Sequence, residues 1–234
     1  LNILNLIKDT ITVSTQLNTH FAGTDIRNID DKIQLSPIRV VDPRHNYLVD
    51  SVTLSAEGKG RERLIGLQSE IADGSIKGNY DLATLPSYFK TIVKKYIPSL
   101  KTNITPFKNQ QFDFNLKLKD VDPIIAFFSP DLKIPDQGTL IGQFNSADQT
   151  ATLNGYVKTI QYGTTVFHDL ILDESTTNDF LGLNISLNQV DLTKTLFIKN
   201  INITNFLKKD SLNFNVKLSD KDATNQFDLF GLVE

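Results

Sequence analysis

Apolar and polar residues alternate strictly in two segments of the chain that lie one hundred residues apart. Residues 111–119 read QFDFNLKLK and residues 211–219 read SLNFNVKLS, so that every even position is apolar. A period of two residues is typical of a β-strand with one apolar and one polar face. Because the pattern recurs, we predict a sheet that is built by adding similar strands side by side.

The same alternation predicts strands through most of the chain. The expected strands are 11–21, 32–41, 47–57, 64–70, 74–82, 111–119, 138–145, 150–159, 165–172, 180–188, 195–204, 210–219 and 225–233. Asp73 and Gly74 are expected in the turn between 64–70 and 74–82, because glycine accepts the positive φ of a tight turn. Short polar connections with almost no helix between the strands favour an antiparallel meander over a parallel α/β fold.

Residues 85–98 have the period of an amphipathic helix instead. Pro86 suits its first turn and Pro98 stops it. Its apolar stripe consists of Leu85, Phe89, Ile92, Val93, Tyr96 and Ile97. We expect this stripe to pack on the neighbouring sheet, and a helix lying on an acidic membrane surface is the alternative. A second, short helix is expected at 123–128.

The polar stretch 99–109 marks a candidate boundary between two β-rich units. We predict one unit over residues 1–100, closed by the helix at about 85–97, and a repeated antiparallel β unit over residues 101–234. The chain does not begin with Met, and we therefore expect it to be a segment of a longer protein.

The apolar faces of the most regular strands are the candidate functional surface. A closed two-sheet β-sandwich and one long sheet curled into a trough both bury alternate residues, so the pattern leaves both architectures open. In a trough, the apolar lining is large enough to hold acyl chains. The residues expected to line it are Phe112, Phe114, Leu116, Leu118, Leu183, Ile185, Phe214 and Val216.

Composition argues against several kinds of chemistry. The 234 residues include no Cys, which excludes thiolate catalysis and Cys-ligated metals, and the net charge of −3 does not suggest nucleic acid as a partner. His20, His45 and His168 match no metal-ligand spacing, and acidic pairs such as Asp173-Glu174 fall where turns are expected. We therefore predict no catalytic residues, no metal site, no cofactor and no enzymatic activity.

Several segments together resemble the mid-region of TamB-type proteins of Bacteroidota. The resemblance rests on residues 49–56, 67–82 (with IADGSIKG at 71–78), 85–98, 138–144, 150–154 and 167–172. Such proteins (the name stands for translocation and assembly module) are long periplasmic proteins related to AsmA-like and bridge-like lipid-transfer proteins. The resemblance implies a mainly β fold: a long antiparallel sheet curled into a hydrophobic groove, a β-taco, with one amphipathic helix.

The resemblance also implies a function. It implies a non-catalytic section of a periplasmic groove that carries phospholipid between inner and outer membranes and supports outer-membrane biogenesis. Phospholipid acyl chains would be the ligand, and an outer-membrane assembly barrel would be a partner through regions outside this chain. The inner-membrane anchor would lie in a segment missing from it. The alternative function is a closed β-sandwich scaffold or adhesion module that binds no lipid.

Overall fold

The computed structural model describes residues 12–19, 31–41, 43, 46–58, 62–81, 84–100, 109–177, 179–219 and 226–233. The strands are β1 (Thr12–Thr19), β2 (Asp31–Val41), β3 (Asn46–Val49), β4 (Val52–Glu57), β5 (Leu64–Ser69), β6 (Ala72–Asn79), β7 (Gln111–Leu118), β8 (Leu132–Lys133), β9 (Gly138–Asn145), β10 (Thr150–Tyr162), β11 (Thr165–Thr176), β12 (Leu181–Asp191), β13 (Phe197–Lys208), β14 (Ser211–Ser219) and β15 (Gln226–Val233). The helices are α1 (Leu85–Tyr96) and the short α2 (Asp122–Ile125).

All fifteen described strands belong to one antiparallel sheet. The hydrogen-bonded order is β1-β2-β4-β5-β6-β7-β9-β10-β11-β12-β13-β14-β15, while β3 pairs with β2 and β8 pairs with β10. Because β1 and β15 stand at opposite edges of this order, the sheet is open. The prediction of a long antiparallel sheet with one amphipathic helix is confirmed, and the alternative of a two-sheet sandwich is wrong for the described residues.

Cross-strand pairing arranges side chains in rows that run across the sheet. The first row, which we call the Glu174 row, contains Ile65, Ile76, Phe114, Gly142, Leu153, Glu174, Leu183, Asn205, Phe214 and Gly231. The next row, the aliphatic row, contains Leu54, Leu67, Gly74, Leu116, Leu140, Gly155, Leu172, Ile185, Ile203, Val216 and Leu229. We call the side of the sheet that carries both rows the apolar face and the opposite side the polar face.

Helix α1 crosses one end of the apolar face. Ile92 and Tyr96, one helical turn apart, are 3% and 1% exposed and pack with Tyr80, Phe112 and Phe144. The rings of Phe112 and Phe144 stack with their centroids 5.1 Å apart. Burial of these apolar side chains is the main attraction that holds the helix on the sheet.

The contacts at the two ends of α1 require the sheet to curl. Near its start, the Thr84 hydroxyl accepts a hydrogen bond from Gln110 Nε2 (2.9 Å) beside the junction of β6 and β7. At its end, the Tyr96 carbonyl accepts one from the Asp210 amide (2.9 Å) in the turn between β13 and β14. Six strand spacings, about 29 Å along the sheet, separate these places. A twelve-residue helix spans only about 18 Å. The apolar face is therefore concave at this end.

Two sequence predictions about strand boundaries are wrong. The expected strand 47–57 is divided into β3 and β4, because Pro37 divides their common neighbour β2 into a part that pairs with β3 and a part that pairs with β4. The hairpin between β5 and β6 turns at Glu70 and Ile71 rather than at Asp73-Gly74. The Ser69 hydroxyl closes this earlier turn by accepting from the Ala72 amide (3.0 Å) and donating to the Ala72 carbonyl (2.8 Å).

The helices and the remaining strands lie close to their predicted positions. Residues 11, 20 and 21 of the expected first strand lie outside the described residues, as do His20 and His45. The division of the chain near residue 100 stays a prediction. On either side of it, β6 and β7 are hydrogen-bonded neighbours in the same sheet, from Ala72 opposite Leu118 to Asn79 opposite Gln111.

Candidate functional site

The structure places all eight predicted lining residues on the apolar face. Phe114, Leu183 and Phe214 lie in the Glu174 row. The aliphatic row holds Leu116, Ile185 and Val216, and the flanking rows hold Phe112 and Leu118. Sequence alternation brought the correct side of each strand together, because paired residues in a sheet share a face. Their role as a lipid lining stays a prediction.

Most of the apolar face is not covered by other described parts of the chain. Of the eight lining residues only Phe112 is buried, beneath α1, and the other seven are half-buried. At the β15 edge, Phe227, Leu229 and Val233 are 51%, 45% and 54% exposed. The aliphatic row extends over eleven strands and the Glu174 row over ten. Their combined footprint, half-buried side chains included, is about 48 Å by about 14 Å, or roughly 700 Å². Exposed patches above about 300–600 Å² indicate an interaction surface.

Phenylalanine rings on this face lie over glycines of the next strand. Phe114 of β7 covers Gly142 of β9, and Phe214 of β14 covers Gly231 of β15. A Cβ atom at Gly142 would lie 2.5 Å from the Phe114 ring, so a larger side chain does not fit beneath it. The rings thus occupy space that side chains of the following strand would take, which keeps the face shallow.

These aromatic–glycine pairs extend the internal repeat to two strands. β7 with β9 corresponds to β14 with β15, and residues 140–142 (LIG) match residues 229–231 (LFG) in sequence and in register. In the sequence, only the first strand of each pair is recognisable by its strict alternation. The missed signal was the Leu-x-Gly in the strand that follows each copy.

A carboxylate interrupts the two apolar rows at β11. Glu174 lies on β11 directly opposite Leu153 of β10 and Leu183 of β12. Burial and, secondarily, the neighbouring Asp173 raise the pKa of Glu174 to about 7. Within the described part of the chain, no hydrogen bond or ion pair involves this carboxylate. The prediction that Asp173-Glu174 forms a turn is wrong, since both residues lie within β11 and point to opposite faces.

Polar groups of α1 approach the apolar face near Glu174. The Tyr96 hydroxyl donates a hydrogen bond to the Thr177 carbonyl, and Lys95 Nζ donates to the same oxygen at 3.3 Å. Burial raises the pKa of Tyr96, and the charge of Glu174 raises it further, while a hydrogen bond with Thr176 opposes both. Glu174 is therefore within electrostatic reach of the buried helix terminus.

A second cluster of polar side chains lies on β11 and β12, at the end of these strands opposite Glu174. His168 Nε2 and Asp191 Oδ2 are 2.7 Å apart, and Gln189 Nε2 donates to Asp191 Oδ1 at 2.6 Å. The hydrogen bonds from Gln189 and then from His168 lower the pKa of Asp191. Among the described residues, no group of three or more His, Cys, Asp or Glu side chains could hold a metal ion. The pair joins β11 to β12 and serves as a cross-strand ion pair when His168 is protonated.

Three hollows in the described sheet are lined mainly by residues of the polar face. One, of about 750 Å³, lies between β13, β14 and β15, and its lining includes Phe206, Asn213, Asn215 and Phe230. Twisted sheets are saddle-shaped, so some concavity is expected on both faces. Its mixed apolar and amide lining differs from the two nearly uniform rows of the apolar face, which remains the stronger candidate for an extended apolar ligand.

Comparisons with known proteins identify no relative of this chain. No family model matches it, and no curated protein or solved structure matches it at a significant level. In the part of the chain that the structure describes, neither helix has the length and apolar character needed to cross a bilayer. The apolar face is thus the main structural indication of function in the described residues.

Proposed function

We propose that this chain is a non-catalytic section of a periplasmic groove that carries phospholipid between membranes, as its resemblance to TamB-type proteins implies. The observation that supports the proposal is the apolar face, which extends over eleven strands and which α1 covers at one end. An apolar surface of this size is costly to leave in water, and a lipid acyl chain is a ligand of matching chemistry.

The hydrophobic gain from one acyl chain on this face is of the same order as the entropic cost of association. Full burial of a methylene group contributes about 0.8 kcal/mol, so a chain of roughly 14 methylenes contributes about 11 kcal/mol when it is enclosed. An open face covers about half of each methylene, which leaves about 5 kcal/mol before the entropic cost of association. The headgroup stays in water at the open side, so the surface needs no catalytic group and no cofactor.

The wider context of the proposal comes from the resemblance alone. It places the protein in the periplasm, held to the inner membrane by a segment outside this chain. An outer-membrane assembly barrel would engage regions outside this chain as well, and outer-membrane biogenesis would depend on the lipid carried. The net charge of −3 supports the expectation that nucleic acid is not a partner.

Organic extraction of the purified protein followed by lipid mass spectrometry is the first test. We expect phospholipid in roughly stoichiometric amount, because an uncovered apolar face would retain acyl chains through purification. A folded protein that carries no lipid and takes up no fluorescent fatty acid would overturn the proposal and favour a scaffold or adhesion role.

Paired substitutions test which face binds. Phe214→Asp places a charge on the apolar face of β14, and Asn215→Asp places the same charge on the polar face of the same strand. Phe114→Asp and Asn115→Asp are the equivalent pair on β7. We expect each Phe variant to weaken uptake of a fluorescent fatty acid at least tenfold, a loss of about 1.4 kcal/mol or more, whereas the Asn variants retain it.

A third variant separates lost binding from lost folding. Leu229 is already 45% exposed at the edge strand, so Leu229→Asp should leave the far-UV circular dichroism spectrum unchanged while reducing uptake. Equal uptake by Leu229→Asp, Phe214→Asp and Asn215→Asp would contradict binding at the apolar face. Unfolding of both Phe variants, with normal uptake by Leu229→Asp, would identify the two phenylalanines as core residues.

A further inference from the structure

One feature of the apolar face is not accounted for by acyl chains. Between Ile65 and Gly231, the other members of the row that contains Glu174 are apolar or neutral. Leu153 and Leu183 lie beside it, and Leu172 lies two positions away on its own strand. An unpaired carboxylate in such surroundings is destabilising unless it meets a proton or a cation. A face that only solvates hydrocarbon has no use for it.

Among the described residues, no cationic side chain forms an ion pair with Glu174, and Lys95 of α1 is bound to a neighbouring carbonyl. On its own strand, Asp173 points to the polar face, where it pairs with Asn154 and Asn184. The nearest residues that β10 and β12 contribute to the apolar face are uncharged: Ala151, Leu153, Gly155, Leu181, Leu183 and Ile185. From α1, Tyr96 and Lys95 direct their polar atoms to the Thr177 carbonyl.

We propose that Glu174 is a headgroup site that selects amphiphiles with a primary ammonium group over neutral amphiphiles of the same chain length. The inference rests on the proposed function, since the acyl chain would lie along the two apolar rows while the ammonium pairs with the carboxylate. A primary ammonium donates up to three hydrogen bonds, and a charge-assisted bond to a carboxylate is stronger than a neutral one.

Selectivity at this site depends on the ionisation of Glu174. An ammonium ligand favours the ionised carboxylate, so its advantage over a neutral ligand increases as the pH rises through the pKa of about 7. Below that pH the protonated acid carries no charge, and the advantage disappears. Glu174→Gln retains the size of the side chain and removes the charge at every pH.

The test compares two fluorescent probes with identical twelve-carbon chains, one a primary amine and the other an alcohol. For the unaltered protein, we expect the amine to bind about fivefold more tightly than the alcohol at pH 8 and about equally at pH 5.5. In Glu174→Gln the ratio of the two affinities should be close to one at both pH values. Asp173→Asn is the matched control, because it removes a carboxylate one residue away on the polar face and should retain the preference at pH 8.

The possible outcomes distinguish this site from the proposed function. Binding of both probes with equal affinity at pH 8 overturns the ammonium site and leaves the lipid groove standing. A preference that survives in Glu174→Gln also overturns the site. Failure of both probes to bind overturns the proposed function, and the headgroup site with it.

Discussion

The pH dependence of folding stability is a direct test of the position of Glu174, and it requires no ligand. Glu174 has a pKa of about 7 in the folded protein against an ordinary value of 4.5. Between these values the folded state holds a proton that the unfolded state has released. The free energy of unfolding therefore decreases as the pH rises from about 4.5 to about 7, and this contribution is constant above that range.

The size of the effect follows from the same two values. Converted directly, they correspond to about 3 kcal/mol of destabilisation above pH 7 for a fully desolvated group. Because Glu174 is half-buried, solvent screening reduces this to about 1–2 kcal/mol. Glu174→Gln removes the titration, so the variant should be about 1–2 kcal/mol more stable than the original protein at pH 8 and about equal to it at pH 5.

Urea unfolding followed by far-UV circular dichroism at pH 5 and pH 8 measures the effect, since the chain contains no Trp for fluorescence. Comparing the two proteins cancels the contributions of every other titrating group. Asp113→Asn removes an exposed carboxylate from the polar face of β7 and should leave the pH dependence unchanged. If Glu174→Gln loses stability with pH as steeply as the original protein, the carboxylate is not desolvated on the apolar face and the reasoning fails.

Two further substitutions test the packing of the sheet. Ile92→Ala removes a buried contact between α1 and the sheet and should reduce the free energy of unfolding by about 2–4 kcal/mol in urea titration. Lys90→Ala, on the exposed side of α1, should change it little. Equal effects of the two substitutions would show that α1 does not pack as described. Gly142→Ala should cost about 1–3 kcal/mol, because the new methyl group meets the Phe114 ring and the adjacent backbone. Gly182→Ala, whose new methyl group would have only ordinary contacts, is the control in thermal unfolding. If both glycine variants are equally stable, the aromatic–glycine packing is not tight.

Most of the secondary structure could be predicted from local patterns in the sequence, and one turn was predicted wrongly. Strand positions, the facing of alternate residues and the location of α1 could be predicted, because they depend on residues two to four positions apart. The turn at Glu70-Ile71 was predicted wrongly although its contacts are also local, because the Asp-Gly dipeptide is the stronger turn signal in sequence whereas Ser69 closes a hydrogen-bonded pair with Ala72.

The candidate site likewise has features that the sequence predicts and features that only the pairing of strands reveals. Alternation assigned all eight lining residues to one side of their strands, and pairing in the sheet joined those sides into one face. The position of Glu174 was missed because the Asp173-Glu174 pair has the composition of a turn, whereas the thirteen-residue β10 and the eleven-residue β12 on either side extend β11 to Thr176. The glycines beneath Phe114 and Phe214 become meaningful only when the register places them opposite the rings.

Alternation along the chain is sufficient to predict a β-sheet protein with two chemically distinct strand faces, because side-chain direction in a strand depends only on position along it. Whether the strands form one open sheet or two closed ones is a property of the folded chain. That choice depends on the pairing of every strand with its neighbours and on α1, which spans about 18 Å between places that lie about 29 Å apart along the sheet. The curl, the uncovered apolar face and the carboxylate within it are consequences of that pairing.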